Sequence, residues 1–168
     1  MTLAIRPALT REIDAIRDLE RASSRRFLGV MDALAADEPT PADVLAQRLG
    51  ADGLLAATID GDLAGFMMFR PLDDSLYIEQ GDVAPAFEGR RIGAALIDAV
   101  AERAAAARLA RLTLSTFREV PWNAPYYRRL GFLDITDDAL SDALRAVRRE
   151  HVARGLDESA RLFMQRPI

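Results

Sequence analysis

The chain has no cysteine, no lysine and a single histidine. Without cysteine there are no disulfides, no thiolate metal sites and no cysteine nucleophile. One histidine is too few for a zinc site or a Cys–His pair. That histidine, His151, stands among Arg148, Arg149, Glu150 and Arg154, and the polar setting predicts a surface position. All 22 basic residues are therefore arginine. Alanine and arginine abound together, which points to genomic composition. An amine-modifying activity would find only the chain's own N-terminus to act on. No apolar run approaches the roughly 20 residues of a membrane span. Charged Arg6, Arg11 and Glu12 come too early for a secretory leader, so the cytoplasm is the expected compartment. Repeats, low-complexity tracts and linkers are also missing.

What is present suits one domain spanning residues 1–168, half of them apolar. The formal charge of −4 argues against nucleic acid as a main partner. Leu3 to Ala8 reads as a first strand ending at Pro7. Thr10 is expected to cap a helix carrying Ile13, Ile16 and Leu19, and Thr40 to cap a second through Val44, Leu45 and Leu49. Two apolar runs, Leu54 to Ile59 and Leu63 to Phe69, flank Asp60-Gly61-Asp62, a strong hairpin signal. A third run covers Leu76 to Val83. A helix, a strand from Leu112 to Phe117 and a short helix around Tyr126 to Leu130 follow. A final helix spans Asp138 to Arg154, and Ala160 to Gln165 returns as a strand. Hairpins followed by a strand–helix–strand unit predict an α/β fold, with a mixed, largely antiparallel sheet and helices on both faces.

The most informative segment is Asp82-Val83-Ala84-Pro85-Ala86-Phe87-Glu88-Gly89-Arg90-Arg91-Ile92-Gly93-Ala94-Ala95-Leu96. An apolar run ends at Val83, Pro85 breaks it, and a Gly/Arg turn opens into a helix. Backbone N–H groups at a helix start lack partners and the dipole there is positive, which suits a phosphate or pyrophosphate. Gly89 and Gly93 permit close backbone approach, and Arg90 and Arg91 add charge. A second segment, Val120-Pro121-Trp122-Asn123-Ala124-Pro125-Tyr126-Tyr127-Arg128-Arg129-Leu130-Gly131-Phe132, raises the value of the first.

Together the two segments resemble the GNAT superfamily of N-acetyltransferases. Its central signature is a strand ending near V-x-P, then [Q/R]-x-x-G-x-[G/A] opening a helix, matched by Val83, Pro85 and Gly93. Its second motif, Y-x-x-x-G-F with an upstream Asn, is matched by Tyr127, Gly131, Phe132 and Asn123. Two positions depart: Glu88 stands where the family has Gln or Arg, and Arg91 where it has Gly. A carboxylate beside a pyrophosphate is repulsive unless it points away or pairs with an arginine. The resemblance implies acetyl-coenzyme A as cosubstrate, held by Asp82, Val83, Glu88, Gly89, Arg90, Arg91, Ile92, Gly93, Ala94 and Asn123, with no metal. It also implies an amine of a small molecule or a peptide as acceptor. A homodimer is one assembly open to such a chain.

Thioester aminolysis needs a base, because an alkyl ammonium has a pKa near ~10, and a proton donor for the departing thiolate. Tyr127 stands where the family places its donor; the bland alternative is packing, which is the reading for Tyr126. Glu79 is the candidate base, since a carboxylate inside an apolar strand is costly unless it faces a cleft or is paired. Asp82 falls on the opposite face and reads as structural, with only its backbone near the cofactor. For Asn123, capping the short helix and bonding the pantetheine arm are compatible roles. Asp32, Asp37, Glu38 and Asp43 form an acidic group read chiefly as a solvated face. The rival to an enzyme is a non-catalytic acyl-coenzyme A-binding module, which needs neither Glu79 nor Tyr127.

Overall fold

The computed structural model describes residues 1–168. Strands β1 (Leu3–Pro7), β2 (Leu54–Ile59), β3 (Asp62–Leu72), β4 (Ser75–Val83), β5 (Arg111–Phe117), β6 (Leu133–Ile135) and β7 (Arg161–Pro167) form one sheet in the order β1-β2-β3-β4-β5-β7-β6. The helices are α1 (Ile13–Ser24), α2 (Asp32–Ala35), α3 (Ala42–Gly50), α4 (Ile92–Ala106), α5 (Ala124–Arg129) and α6 (Asp142–Ala153). β4 and β5 run parallel. The β1–β2, β2–β3, β5–β7 and β6–β7 pairs are antiparallel. The mixed, largely antiparallel α/β sheet expected from the sequence is therefore present. No helix is long and apolar enough to cross a membrane. The chain divides into two compact units, Met1–Arg70 with Gln80–Ala99, and Pro71–Glu79 with Val100–Ile168.

In the first unit, Asp60 and Gly61 take positive φ values of 50° and 91°, the geometry a tight hairpin requires, so β2 turns directly into β3. Phe66 and Met68 of β3 join Leu54 and Ala56 of β2 on one face. That face packs against Ile13, Ile16 and Leu19 of α1 and Leu45 of α3. Gly65 lies on the opposite face, where α4 comes so close that a Cβ would sit 3.3 Å from Ile92 and from Leu96. Helices thus cover both faces of this part of the sheet. In the second unit Tyr77, Ile135 and Phe163 pack with Leu140, Leu144 and Val147, which are carried by α6 and its approach. Ser141 starts α6 by accepting the Leu144 N–H at 3.2 Å.

Several boundaries differ from the sequence expectation, each for a local reason. Thr10 does not cap α1: residues Thr10–Glu12 form a 3₁₀ turn, and the Glu12 carboxylate accepts the Leu9 N–H at 2.9 Å while pairing with Arg6. Thr40 does not cap α3 either. Its N–H and hydroxyl both donate to the Glu20 carboxylate, at 3.0 and 3.1 Å. The last helix begins at Asp142 because Asp137–Ala139 is a separate 3₁₀ turn. β6 has only three residues and gave no periodic signal. His151 is not a surface residue. It is 8% exposed, its Nδ1 lies 2.6 Å from a Glu158 oxygen, and its ring stacks on Phe163. Desolvation, aided by the charge of Arg161, holds its pKa below the ordinary value.

Candidate active site

The first unit carries the turn into α4 that the sequence reads as an anion cradle. After β4 ends at Val83, the Ala84 N–H donates to the Ala64 carbonyl at 2.8 Å, the last tie to β3 before a 3₁₀ turn over Pro85–Phe87. Gly89 then takes φ +76° and Arg91 φ +59°, two left-handed residues either side of Arg90. Left-handed residues alternating with right-handed ones can turn successive N–H groups toward one side, a geometry that suits an anion. The Ala95 N–H makes a bond to the Arg91 carbonyl at 3.0 Å, so those of Ile92, Gly93 and Ala94 precede it and have no carbonyl one turn back. Ile92 buries its side chain at 2% exposure, which anchors the helix start. Donors, small residues and local positive charge suit a phosphate ester. Arg91 stands at a position where glycine is easier, at a cost of roughly 1–2 kcal/mol of backbone strain.

The cradle's side chains are placed differently from a simple ring of cations. Arg90 lies over the Phe87 ring, 5.3 Å from its centre, and reaches Met1 Sδ at 2.8 Å. Glu88, the acid where the family has Gln or Arg, is paired by Arg26, whose Nη2 lies 2.6 Å from Glu88 Oε1. Arg26 belongs to the 3₁₀ turn after α1, 62 residues away in sequence. The sequence implied that Glu88 needs a cation but offered only its neighbours Arg90 and Arg91.

The Asp82 side chain, at the end of β4, is tied to its neighbours. The Ser23 hydroxyl donates to its Oδ1 at 2.9 Å and the Gln80 amide to its Oδ2 at 3.0 Å. Desolvation pushes its pKa up to about 7, Glu20 adds to the rise, and Ser23, Gln80 and Arg26 oppose it. Burial likewise raises the Glu20 carboxyl, against the bonds from Thr40. Sequence reading missed Ser23, Glu20 and Arg26, because nothing in an amphipathic helix marks which polar residue faces a distant strand.

The second unit holds Glu79, Asn123 and Tyr127. The parallel β4–β5 ladder runs from Ser75↔Arg111 to Ile78↔Leu114. Glu79 is the next residue of β4 and is half-buried. It therefore stands at the carboxyl end of a parallel ladder, where open α/β sheets present their ligand-binding groups. β5 continues to Phe117 against β7.

Asn123 ties the following loop back to the end of β5. Its Oδ1 accepts from the Thr116 hydroxyl at 2.9 Å and from the Phe117 N–H at 3.4 Å. The side chain does not cap α5, contrary to expectation; the Asn123 backbone carbonyl instead accepts the Tyr127 N–H at 3.0 Å. Because a backbone N–H needs an acceptor, the amide oxygen faces β5 and the amide nitrogen faces away. The Tyr127 carbonyl in turn accepts the N–H groups of Leu130 and Phe132, each at 3.0 Å, so the turn through Gly131 at φ +94° closes on the tyrosine. Its half-buried ring meets Phe132 and Tyr126 edge to face, at 5.6 and 5.4 Å.

A helix start after a V-x-P strand end, on this mixed sheet, places the chain among α/β folds whose backbone donors can meet an anionic ligand. Residues 13–132 match the acetyltransferase (GNAT) family, and the chain belongs to it. It is an acetyltransferase, and acetyl-coenzyme A is the family's cosubstrate. Among solved structures, the chain superposes on the PaiA N-acetyltransferase of Thermoplasma acidophilum, solved with coenzyme A, with a TM-score of 0.74 and 14% identity over 100% of both chains. A Mycobacterium tuberculosis protein, in complex with CoA and NLQ, is similar at TM-score 0.72 and 20% identity, over 98% of this chain and 99% of that one. The ribosomal-protein-S18-alanine N-acetyltransferase of Escherichia coli follows at 0.67 and 18%, over 99% and 94%. At such identities these likenesses speak for the fold alone.

Proposed function

We propose that this protein is a cytoplasmic N-acetyltransferase that moves an acetyl group from acetyl-coenzyme A to a primary amine of a small molecule or peptide. The observation that carries the reading is the pair of left-handed residues, Gly89 and Arg91, leading into a helix start whose first N–H groups precede the helix's own bonding. In this reading they hold the pyrophosphate, with Arg91 adding charge and the backbone of Asp82 and Val83 alongside the pantetheine arm. The coenzyme A complexes among the similar structures support it. Asn123 anchors its loop through Oδ1, which leaves its amide nitrogen as a donor.

The reaction follows from what the residues can do. Glu79 takes a proton from the acceptor ammonium, and the freed amine attacks the thioester carbon. The C–N bond forms as the C–S bond breaks, and the Tyr127 hydroxyl gives its proton to the departing sulfur. No acyl-enzyme is required, in keeping with a chain that has no cysteine. A thiol-release assay with acetyl-coenzyme A against panels of amines, amino acids, aminoglycosides and peptides tests the proposal. Turnover with one acceptor class supports it. Cofactor binding without turnover on any acceptor would favour a binding module instead.

A further inference from the structure

We propose that Arg26 is a positioning residue for cofactor binding, screening Glu88 so that a carboxylate can stand in the phosphate cradle. The inference rests on the cofactor reading above and concerns a residue outside both motifs. Glu88 is half exposed at 52% and is the one acid in the cradle loop, adjacent to Gly89, where the anion-binding backbone begins. Left alone, its charge would repel a pyrophosphate a few ångströms away. Its neighbour Arg90 does not supply the counter-charge, being turned over Phe87 and toward Met1. Arg26 does, at 2.6 Å, from the turn that follows α1. Its side chain is 29% exposed, so the charge is held in place rather than trailing in solvent.

The same guanidinium also lowers the cost of charge on Asp82, at the other end of the cradle approach. One cation thus serves two carboxylates that flank the Val83–Phe87 segment. The arrangement also explains how a chain can carry Glu at this position: the acid's charge is neutralised by a cation from another element. An Arg–carboxylate contact of this length keeps the acid's oxygen directed at the guanidinium and away from the bound anion.

Coenzyme A binding by calorimetry separates this role from its alternatives, with thermal midpoints recorded for every variant. Arg26→Ala should weaken binding roughly tenfold at low salt, and less at high salt, because an unscreened surface charge acts across a Debye length. Arg26→Gln is measured beside it, since its shorter amide keeps part of the stem packed without the charge. Glu88→Gln should bind as tightly as the native protein or tighter. The double variant Arg26→Ala/Glu88→Gln should return to within about twofold of native, because removing the acid removes the need for its screen. A double variant as weak as Arg26→Ala would overturn the inference and make Arg26 a direct ligand contact. Equal weakening by Arg26→Ala and Glu88→Gln would overturn it in favour of a structural staple, and native affinity in Arg26→Ala would overturn it outright. Absence of binding by the native protein would instead sink the cofactor reading, and the inference with it.

Discussion

Replacing Asp82 with Asn removes a titration that works against the folded state at neutral pH. Burial pushes the Asp82 carboxyl from its ordinary 3.8 to about 7. The unfolded chain releases this proton as pH rises past about 4, whereas the folded chain keeps it until about 7. Between those values the folded state binds more protons, so stability falls with rising pH, by up to about 1.4 kcal/mol per unit. Below that window the contribution is fully present, and above it the loss is complete. Asn mimics the protonated acid. Its oxygen still accepts from Ser23, and Gln80, which now donates to Oδ2, can turn its amide to accept from Asn instead. The gain from Asp82→Asn should therefore be close to zero at pH 4 and reach about 2–4 kcal/mol at pH 8. For a chain of this size that corresponds to roughly 5–15 °C in Tm. Urea or thermal denaturation of both proteins from pH 4 to pH 8 measures it. Parallel stability curves, with the same difference at every pH, would refute the linkage.

Three further outcomes are expected. Tyr127→Phe should lower turnover by about 10²-fold with coenzyme A affinity nearly unchanged, because it removes a proton donor and almost no volume; a wild-type rate with a competent acceptor would remove Tyr127 from the chemistry. Glu79→Gln should slow the reaction at neutral pH and recover part of the rate at higher pH, where more acceptor is already neutral, and an unchanged pH–rate profile would point to another base. Arg91→Gly should relieve the left-handed backbone at φ +59° and stabilise the protein by about 0.5–1 kcal/mol in urea denaturation, net of glycine's extra freedom in the unfolded chain; a destabilised variant would show that Arg91 is not strained there.

The β2–β3 hairpin and the turn from β4 into α4 were legible because their signals are local. Asp60-Gly61 dictates a turn by itself, and Val83, Pro85 and Gly89 announce a strand end and a helix start within a few residues. The chain's polar ties were not legible, because their partners are remote in sequence. Thr40 looked like a cap from its neighbours alone, yet its donors go to Glu20, 20 residues back. Asn123 was expected to cap the helix it precedes, but its oxygen accepts from Thr116 at the end of β5 instead. His151 sat in a run of charges that pattern reading places in water, while the return of β7 buries it against Phe163 and Glu158. The end of the β4–β5 ladder at Ile78, which gives Glu79 its place, depends on two strands and is invisible in either one.

The grip of Glu20 on Thr40 has a dynamic consequence. α3 has no cap of its own: Pro41 precedes it, and the N–H and hydroxyl of Thr40 are spent on α1. Arg17 closes the exchange by donating from Nε to the Thr40 carbonyl at 3.0 Å. Ile16 and Leu45 share the same fully buried core. Loosening α1 therefore strips the start of α3 of its partners and opens its buried face in the same event. The two helices are therefore expected to open as one unit, and hydrogen exchange should give their amides a common opening free energy rather than separate fraying.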